Sequence, residues 1–135
     1  MKVFLGGTCN GSTWRNKLIS MLKIDYFNPV VEDWTPECQQ EELVQRDLCD
    51  ICLYVITPKM HGFYSIAEVV DDSNKRPEKT VLCILDEDAS NEDEGSLIFD
   101  DHQMKSLKAV GDMVLRNKGA LFYNLNELAK YLNGI

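Results

Sequence analysis

The sequence predicts a three-layer α/β domain built on a five-stranded parallel sheet of order 2-1-3-4-5. Strand-like and helix-like segments alternate five times along 135 residues, the pattern of helices packed on both faces of a parallel sheet. The third candidate strand, residues 50–57, is apolar nearly throughout, as a strand covered on both faces must be. The length is that of one domain spanning 1–135, able to bury roughly two-thirds of its unfolded surface.

Each element has a local cause. Residues 2–5 form a short apolar strand stopped by Gly6-Gly7. Ser12 can cap a helix over 12–23, with Trp14, Leu18, Met21 and Leu22 at helical spacing. Residues 25–31 read as a second strand, or as a strand followed by a turn at Asn28-Pro29. Thr35-Pro36 opens a helix running to Leu48, a capping oxygen followed by proline at the first position. Helix 63–72 follows the third strand. A polar turn at 74–78 leads into strand 80–85. Met104, Leu107, Val110, Met113 and Val114 mark a fourth helix ending near Gly119. Strand 120–123 and a helix capped by Asn124 and Glu127 complete the chain.

Composition excludes several classes. No apolar run approaches the ~20 residues of a membrane span. The net charge of -8, with 22 acids against 14 bases, leaves no basic surface for nucleic acid. Residues 86–101 hold eight acids and no Lys or Arg, so they carry the entire excess. A solvated acidic loop is the expected form, and a cation or partner site the alternative. Its spacing does not fit a twelve-residue calcium loop. The apolar start stops at Gly6, too short for a secretory core, and five cysteines is an odd count. Both point to a reducing cytoplasm. Cys49-Asp50-Ile51-Cys52 is formally C-x-x-C, but it runs into an apolar strand, which predicts buried thiols rather than redox or zinc chemistry. No metal and no cofactor are expected.

A sheet of this order binds ligands beyond the carboxyl ends of its first and third strands. Those ends carry Gly6-Gly7-Thr8 and the segment 57–68; the second strand leads to Asp33-Trp34. Gly6, Gly7 and Thr8 are either a tight turn or a ligand loop whose exposed N–H groups, with Asn10-Gly11-Ser12 at a helix start, suit an anion. Neither G-x-G-x-x-G nor a Walker lysine is present. Glu68 sits in the apolar stretch Ile66-Ala67-Glu68-Val69-Val70, early in the helix after the central strand. It is either a first-turn residue favoured by the helix dipole or a catalytic carboxylate facing the cleft. Glu41, Glu42, Asp47 and Asp50 are candidates for a second carboxylate, Asp50 reading better as a strand-opening residue. His61 and His102 read as exposed, with no nucleophile paired to either.

In order and combination, Val3-Phe4-Leu5-Gly6-Gly7-Thr8, Trp14-Arg15, Asn28-Pro29, Asp33-Trp34, Cys49-Asp50-Ile51 and Gly62-Phe63-Tyr64-Ser65-Ile66-Ala67-Glu68 resemble the nucleoside 2-deoxyribosyltransferase-like family, from the first strand to the fourth. The resemblance implies a flavodoxin-like fold and cleavage or exchange of the bond between a base and a deoxyribose. It also implies a nucleoside or nucleotide ligand and a homodimer or larger homo-oligomer. It puts the family's nucleophilic glutamate at Glu68 and its aspartate eighteen residues earlier at Asp50. The catalytic aspartate eight residues before that is Glu42 here, which keeps the carboxyl group on a longer arm. The family's first-strand tyrosine falls on Phe4, which has no hydroxyl; Tyr64, one helical turn before Glu68, is the candidate replacement. Asp33 and Trp34 are implied base contacts, the indole by stacking. Gly6, Gly7 and Thr8 are implied contacts to base or sugar. Whether Ser12 or Arg15 meets a 5′-phosphate stays open. Two other functions compete: a non-catalytic nucleotide-binding module of the same fold, favoured by Phe4, and an interaction protein using the acidic segment.

Overall fold

The computed structural model describes residues 1–9, 11–91 and 95–135, without the side chains of Ser90 and Asn91. Asn10, part of the anion-suited turn, and Glu92, Asp93 and Glu94 of the acidic run lie outside the described residues. The chain runs β1 (Lys2–Gly7), α1 (Trp14–Met21), β2 (Asp25–Phe27), α2 (Pro36–Leu48), β3 (Ile51–Ile56), α3 (Tyr64–Lys75), a 3-10 turn (Pro77–Lys79) and β4 (Thr80–Ile84). A hairpin of β5 (Glu87–Asn91) and β6 (Gly95–Ile98) follows, then α4 (Asp101–Arg116), β7 (Ala120–Phe122) and α5 (Leu125–Asn133). The main sheet is parallel, in the order β2-β1-β3-β4-β7. This is the predicted topology, consistent with a flavodoxin-like fold, with a hairpin inserted before the last strand.

Strand alternation sorts the core into two halves. Val3, Leu5, Leu53 and Val55 face Trp14 and Leu18 of α1 and Leu128 and Leu132 of α5. Phe4, Cys52, Tyr54 and Ile56 face Val69 of α3 and Leu107 and Val114 of α4. Every residue of β3 is buried, as its unbroken apolar run requires. All five cysteines are unpaired, Cys49 and Cys52 are buried, and burial pushes the Cys52 thiol up to about 12, so C-x-x-C is core packing here.

Caps set the helix boundaries. Thr35 accepts the Cys38 N–H at 3.2 Å with Pro36 at the first position, as expected. Asn124 accepts the Glu127 N–H at 2.8 Å. Asp100 and Gln103 form a reciprocal capping box that starts α4 three residues before Met104. Ser12 accepts the Trp14 N–H at 3.4 Å, yet the helix itself begins only at Trp14. The second strand ends at Phe27 because Asn28 turns back to accept the Val30 N–H at 3.1 Å and Pro29 cannot extend a ladder.

The acidic segment departs from expectation. Most of its described part, Glu87–Asn91 with Gly95–Ile98, is an antiparallel hairpin rather than a solvated loop, and Asp100 and Asp101 begin α4. Asp88 is buried and accepts the Ser12 hydroxyl at 2.6 Å and the Thr57 hydroxyl at 2.7 Å. One carboxylate thus ties the hairpin to the turn after β1 and to the end of β3. Those hydroxyls lie 76 and 31 residues away in sequence, so local charge counting could not find them. Asp88→Ala leaves both hydroxyls without this acceptor. It is expected to cost at least about 2 kcal/mol in urea unfolding, the scale of hydrogen bonds to a charged group. An unchanged midpoint would remove the hairpin anchor from this account.

Candidate active site

The topological switch between β1 and β3 opens a cleft of about 610 Å³ at their carboxyl ends. Its floor is Phe4, Gly6, Gly7 and Ile56, and α3 supplies Tyr64, Ser65 and Glu68. Glu42 and Gln39 of α2 and the loop residues Glu32 and Trp34 line it as well.

The glycines are demanded by the sheet itself. A Cβ on Gly6 would stand 2.7 Å from the Tyr54 ring. Gly7 has φ +115, and its Cβ would fall 2.0 Å from the Val55 carbonyl oxygen. Thr8 is buried; its hydroxyl accepts the Thr57 N–H at 3.0 Å. Its carbonyl accepts Trp14 Nε1 at 2.7 Å and Arg15 Nη1 at 2.6 Å. Arg15 is buried rather than on the surface. It donates further to the carbonyls of Leu5 at 3.0 Å and Gly7 at 3.3 Å. Its guanidinium therefore staples the turn after β1 to α1.

Glu68 faces the cleft with its side chain 14% exposed. Its position follows from the helix: α3 starts at the carboxyl edge of the sheet, and Glu68 is one turn in, above buried Val69 and Asp72. Burial raises its pKa to about 7; Arg46 pulls it down, while Glu42 and Asp72 push it further up. Arg46 of α2 reaches across, Nη1 lying 3.5 Å from Glu68 Oε2.

Arg46 is in turn held from below. Asp72, fully buried, takes Arg46 Nη2 at 2.7 Å and Nε at 3.3 Å, Arg76 Nε at 3.0 Å and the Tyr54 hydroxyl at 2.5 Å. The Tyr54 phenol stays protonated, because burial drives its pKa far up. The sequence reading missed Arg46, Asp72 and Tyr54. The available signal was the pair of i,i+4 spacings, Glu42 with Arg46 and Glu68 with Asp72, which puts one carboxylate above one charged partner on each of two helices.

The remaining expected residues divide. Tyr64 and Trp34 line the cleft as rim residues, 65% and 57% exposed. Among the described residues, no hydrogen bond joins the Tyr64 hydroxyl to Glu68. Phe4 is buried, stacked on Phe27 at 5.9 Å and tilted against Tyr54. Asp33 is exposed and does not line the cleft, although its neighbours Glu32 and Trp34 do. Asp50 stands at the amino end of β3 and accepts the Lys2 N–H at 2.8 Å. Six residues of strand, about 20 Å, separate it from the cleft. His61 lines the cleft from the loop before α3. Among the described residues, no group of three His, Cys, Asp or Glu could hold a metal, and no helix is long and apolar enough to cross a membrane.

Comparison with known families places residues 1–87 in a match to the family described as nucleoside 2-deoxyribosyltransferase like. That span covers β1 to the start of β5 and every residue of the cleft. No curated protein and no solved structure matches the chain.

A carboxyl group raised by burial binds its proton more tightly folded than unfolded. Its contribution to stability is whole below about pH 4.5 and lost as pH rises through about 7. Glu68→Gln removes that dependence. Its melting temperature should gain on the wild type as pH goes from 5 to 8, measured by calorimetry. A difference constant with pH would mean that the carboxyl group titrates as a solvated one.

Proposed function

The chain belongs to the nucleoside 2-deoxyribosyltransferase-like family, and we propose on that basis that it cleaves or transfers the N-glycosidic bond of (deoxy)nucleosides through Glu68. The observation carrying this reading is one mostly buried carboxylate, facing a cleft at the β1–β3 switch with a second carboxylate, Glu42, lining the same cleft. Cleavage of the bond builds positive charge on the sugar, and such a pair can serve both ends of it. A Glu68 oxygen attacks C1′, the C1′–N bond breaks with its electron pair going to the base, and the base nitrogen takes a proton from solvent on the Glu42 side of the cleft. A second base, or water, then attacks C1′ and surrenders a proton to Glu42 and so to solvent. The sugar–Glu68 ester opens and the carboxylate is restored.

The rim suits a planar base: Trp34 offers an exposed indole and Tyr64 a phenol. The cleft carries Glu32, Glu42 and Glu68 against Arg15, whose guanidinium is engaged with three backbone carbonyls. That balance disfavours a phosphate and favours neutral nucleosides over 5′-monophosphates. A homo-oligomer is part of the same reading, supported by exposed Leu43, Val44 and Leu48 on α2. So is a cytoplasmic setting, supported by the odd cysteine count. The non-catalytic alternative keeps one specific support, the absent hydroxyl at Phe4.

Incubation of a deoxynucleoside with a second free base should yield a new nucleoside, or free sugar where water is the acceptor, followed by chromatography. Glu68→Ala should lose at least about a thousandfold in turnover; retained turnover rejects Glu68 as nucleophile. Ligand binding without turnover across a panel of nucleosides decides for the non-catalytic module. The rate should rise with pH through about 7, because attack requires the ionised carboxylate. The kcat/KM for a nucleoside should exceed that for its 5′-monophosphate by about tenfold or more.

A further inference from the structure

We propose that Arg46 is the positioning residue of Glu68: clamped beneath the cleft by Asp72, which Tyr54 holds in turn, its guanidinium fixes one oxygen of the nucleophile and leaves the other for the sugar. The inference rests on the transferase reading above and goes beyond it, to a residue outside the cleft lining.

The geometry is a chain of three contacts through the protein. The Tyr54 hydroxyl donates to Asp72 Oδ2 at 2.5 Å, and Arg46 Nε approaches the same oxygen at 3.3 Å. Arg46 Nη2 lies 2.7 Å from Asp72 Oδ1, so the fork is held at two points by one carboxylate. Nη2 also meets Asp71 at 3.4 Å, while Nη1 is left for Glu68 Oε2, 3.5 Å away. Arg46 is the one buried residue of α2, and Asp72 is fully buried. A guanidinium engaged this way cannot swing with solvent, and its planar fork sets a direction that an ammonium cannot. The arrangement joins α2, β3 and α3, so the nucleophile's orientation is set by the packing of three elements.

Other groups act on Glu68 as well. Glu42 on α2 and Asp72 on α3 both oppose its ionisation, and Arg46 is the main influence favouring it. The protonated Tyr54 lies below on β3. Arg15 and Cys9 line the cleft from the turn after β1, Glu32 from the loop before α2, His61 from the loop before α3, and Tyr64 from α3 itself. Arg46 outranks Asp72 in its effect on Glu68, so removal of both should still leave Glu68 harder to ionise.

Two variants test this. Arg46→Met alone takes one of two guanidinium partners from the buried Asp72 carboxylate and destabilises the chain; Arg46→Met/Asp72→Asn removes both charges together. The Glu68 carboxyl carbon is titrated by NMR, assigned by its loss in Glu68→Gln, and the pH dependence of kcat/KM is measured alongside. In the double variant the carbon midpoint and the ascending limb of the rate should both rise, by about one pH unit. A purely structural role would lower the rate equally at all pH values. Arg46→Lys should return the limb toward the wild-type position while kcat stays at least about tenfold low, since one ammonium cannot hold both carboxylates in place. An unmoved midpoint in the double variant, or full kcat in Arg46→Lys, overturns the proposal even where the wild type is active. A moved midpoint in a chain whose wild type turns over no nucleoside overturns the transferase reading, and with it the nucleophile, but leaves the ion pair standing.

Discussion

The close approach of β1 to β3 at Gly6 is the constraint on which the cleft depends. The Tyr54 ring lies where a side chain at position 6 would be, 2.7 Å from an added Cβ. With its ring there, Tyr54 reaches Asp72; Asp72 holds Arg46; and Arg46 faces Glu68. Gly7 continues the same contact, with a backbone conformation and a neighbour, Val55, that admit no side chain. Two glycines that read from sequence as a ligand turn are thus first a packing requirement, and the open ground they leave at the strand end is where a ligand can enter.

The electrostatics of the cleft follow from burial more than from any single pair. Asp72 is fully buried and offset by two guanidinium groups and a phenol, an arrangement in which loss of one partner leaves an exposed imbalance in low dielectric. Glu68 sits nearer the surface with one weaker contact, so its charged form is tolerated and not strongly favoured. A carboxyl group poised near neutrality suits a nucleophile that must also leave the sugar again. Helix α3 presents these two carboxylates on successive turns, and Arg46 of α2 meets both.

Much was legible before the structure. Alternation of strands and helices, the doubly covered β3 and the Thr35-Pro36 cap are local signals, and each formed as expected. Glu68 was legible as a candidate, because it interrupts an apolar helix start after the central strand, but the pattern alone left a solvated first-turn residue as the alternative. Asp50 opens β3 as its pattern suggested, while the ligand contacts that the resemblance implied for Asp50 and Asp33 lie off the cleft, since matched spacing does not tell which side of a loop or end of a strand a side chain serves. The hairpin hid within a run of acids, because Asp88 differs from its neighbours only by distant hydroxyl partners.

The amino-acid order by itself determined the elements of the main sheet and the helices on it, their parallel arrangement and the strand ends where a ligand could meet the chain, because these depend on periodicity, caps and turns within a few residues. Only the tertiary structure decided that Arg46 meets Glu68, that Arg15 is spent on the β1 turn and that Asp88 pins the hairpin. The first and the last join groups far apart in the chain, and in all three a buried charge selects its partner by distance and dielectric, neither of which exists until the layers have packed.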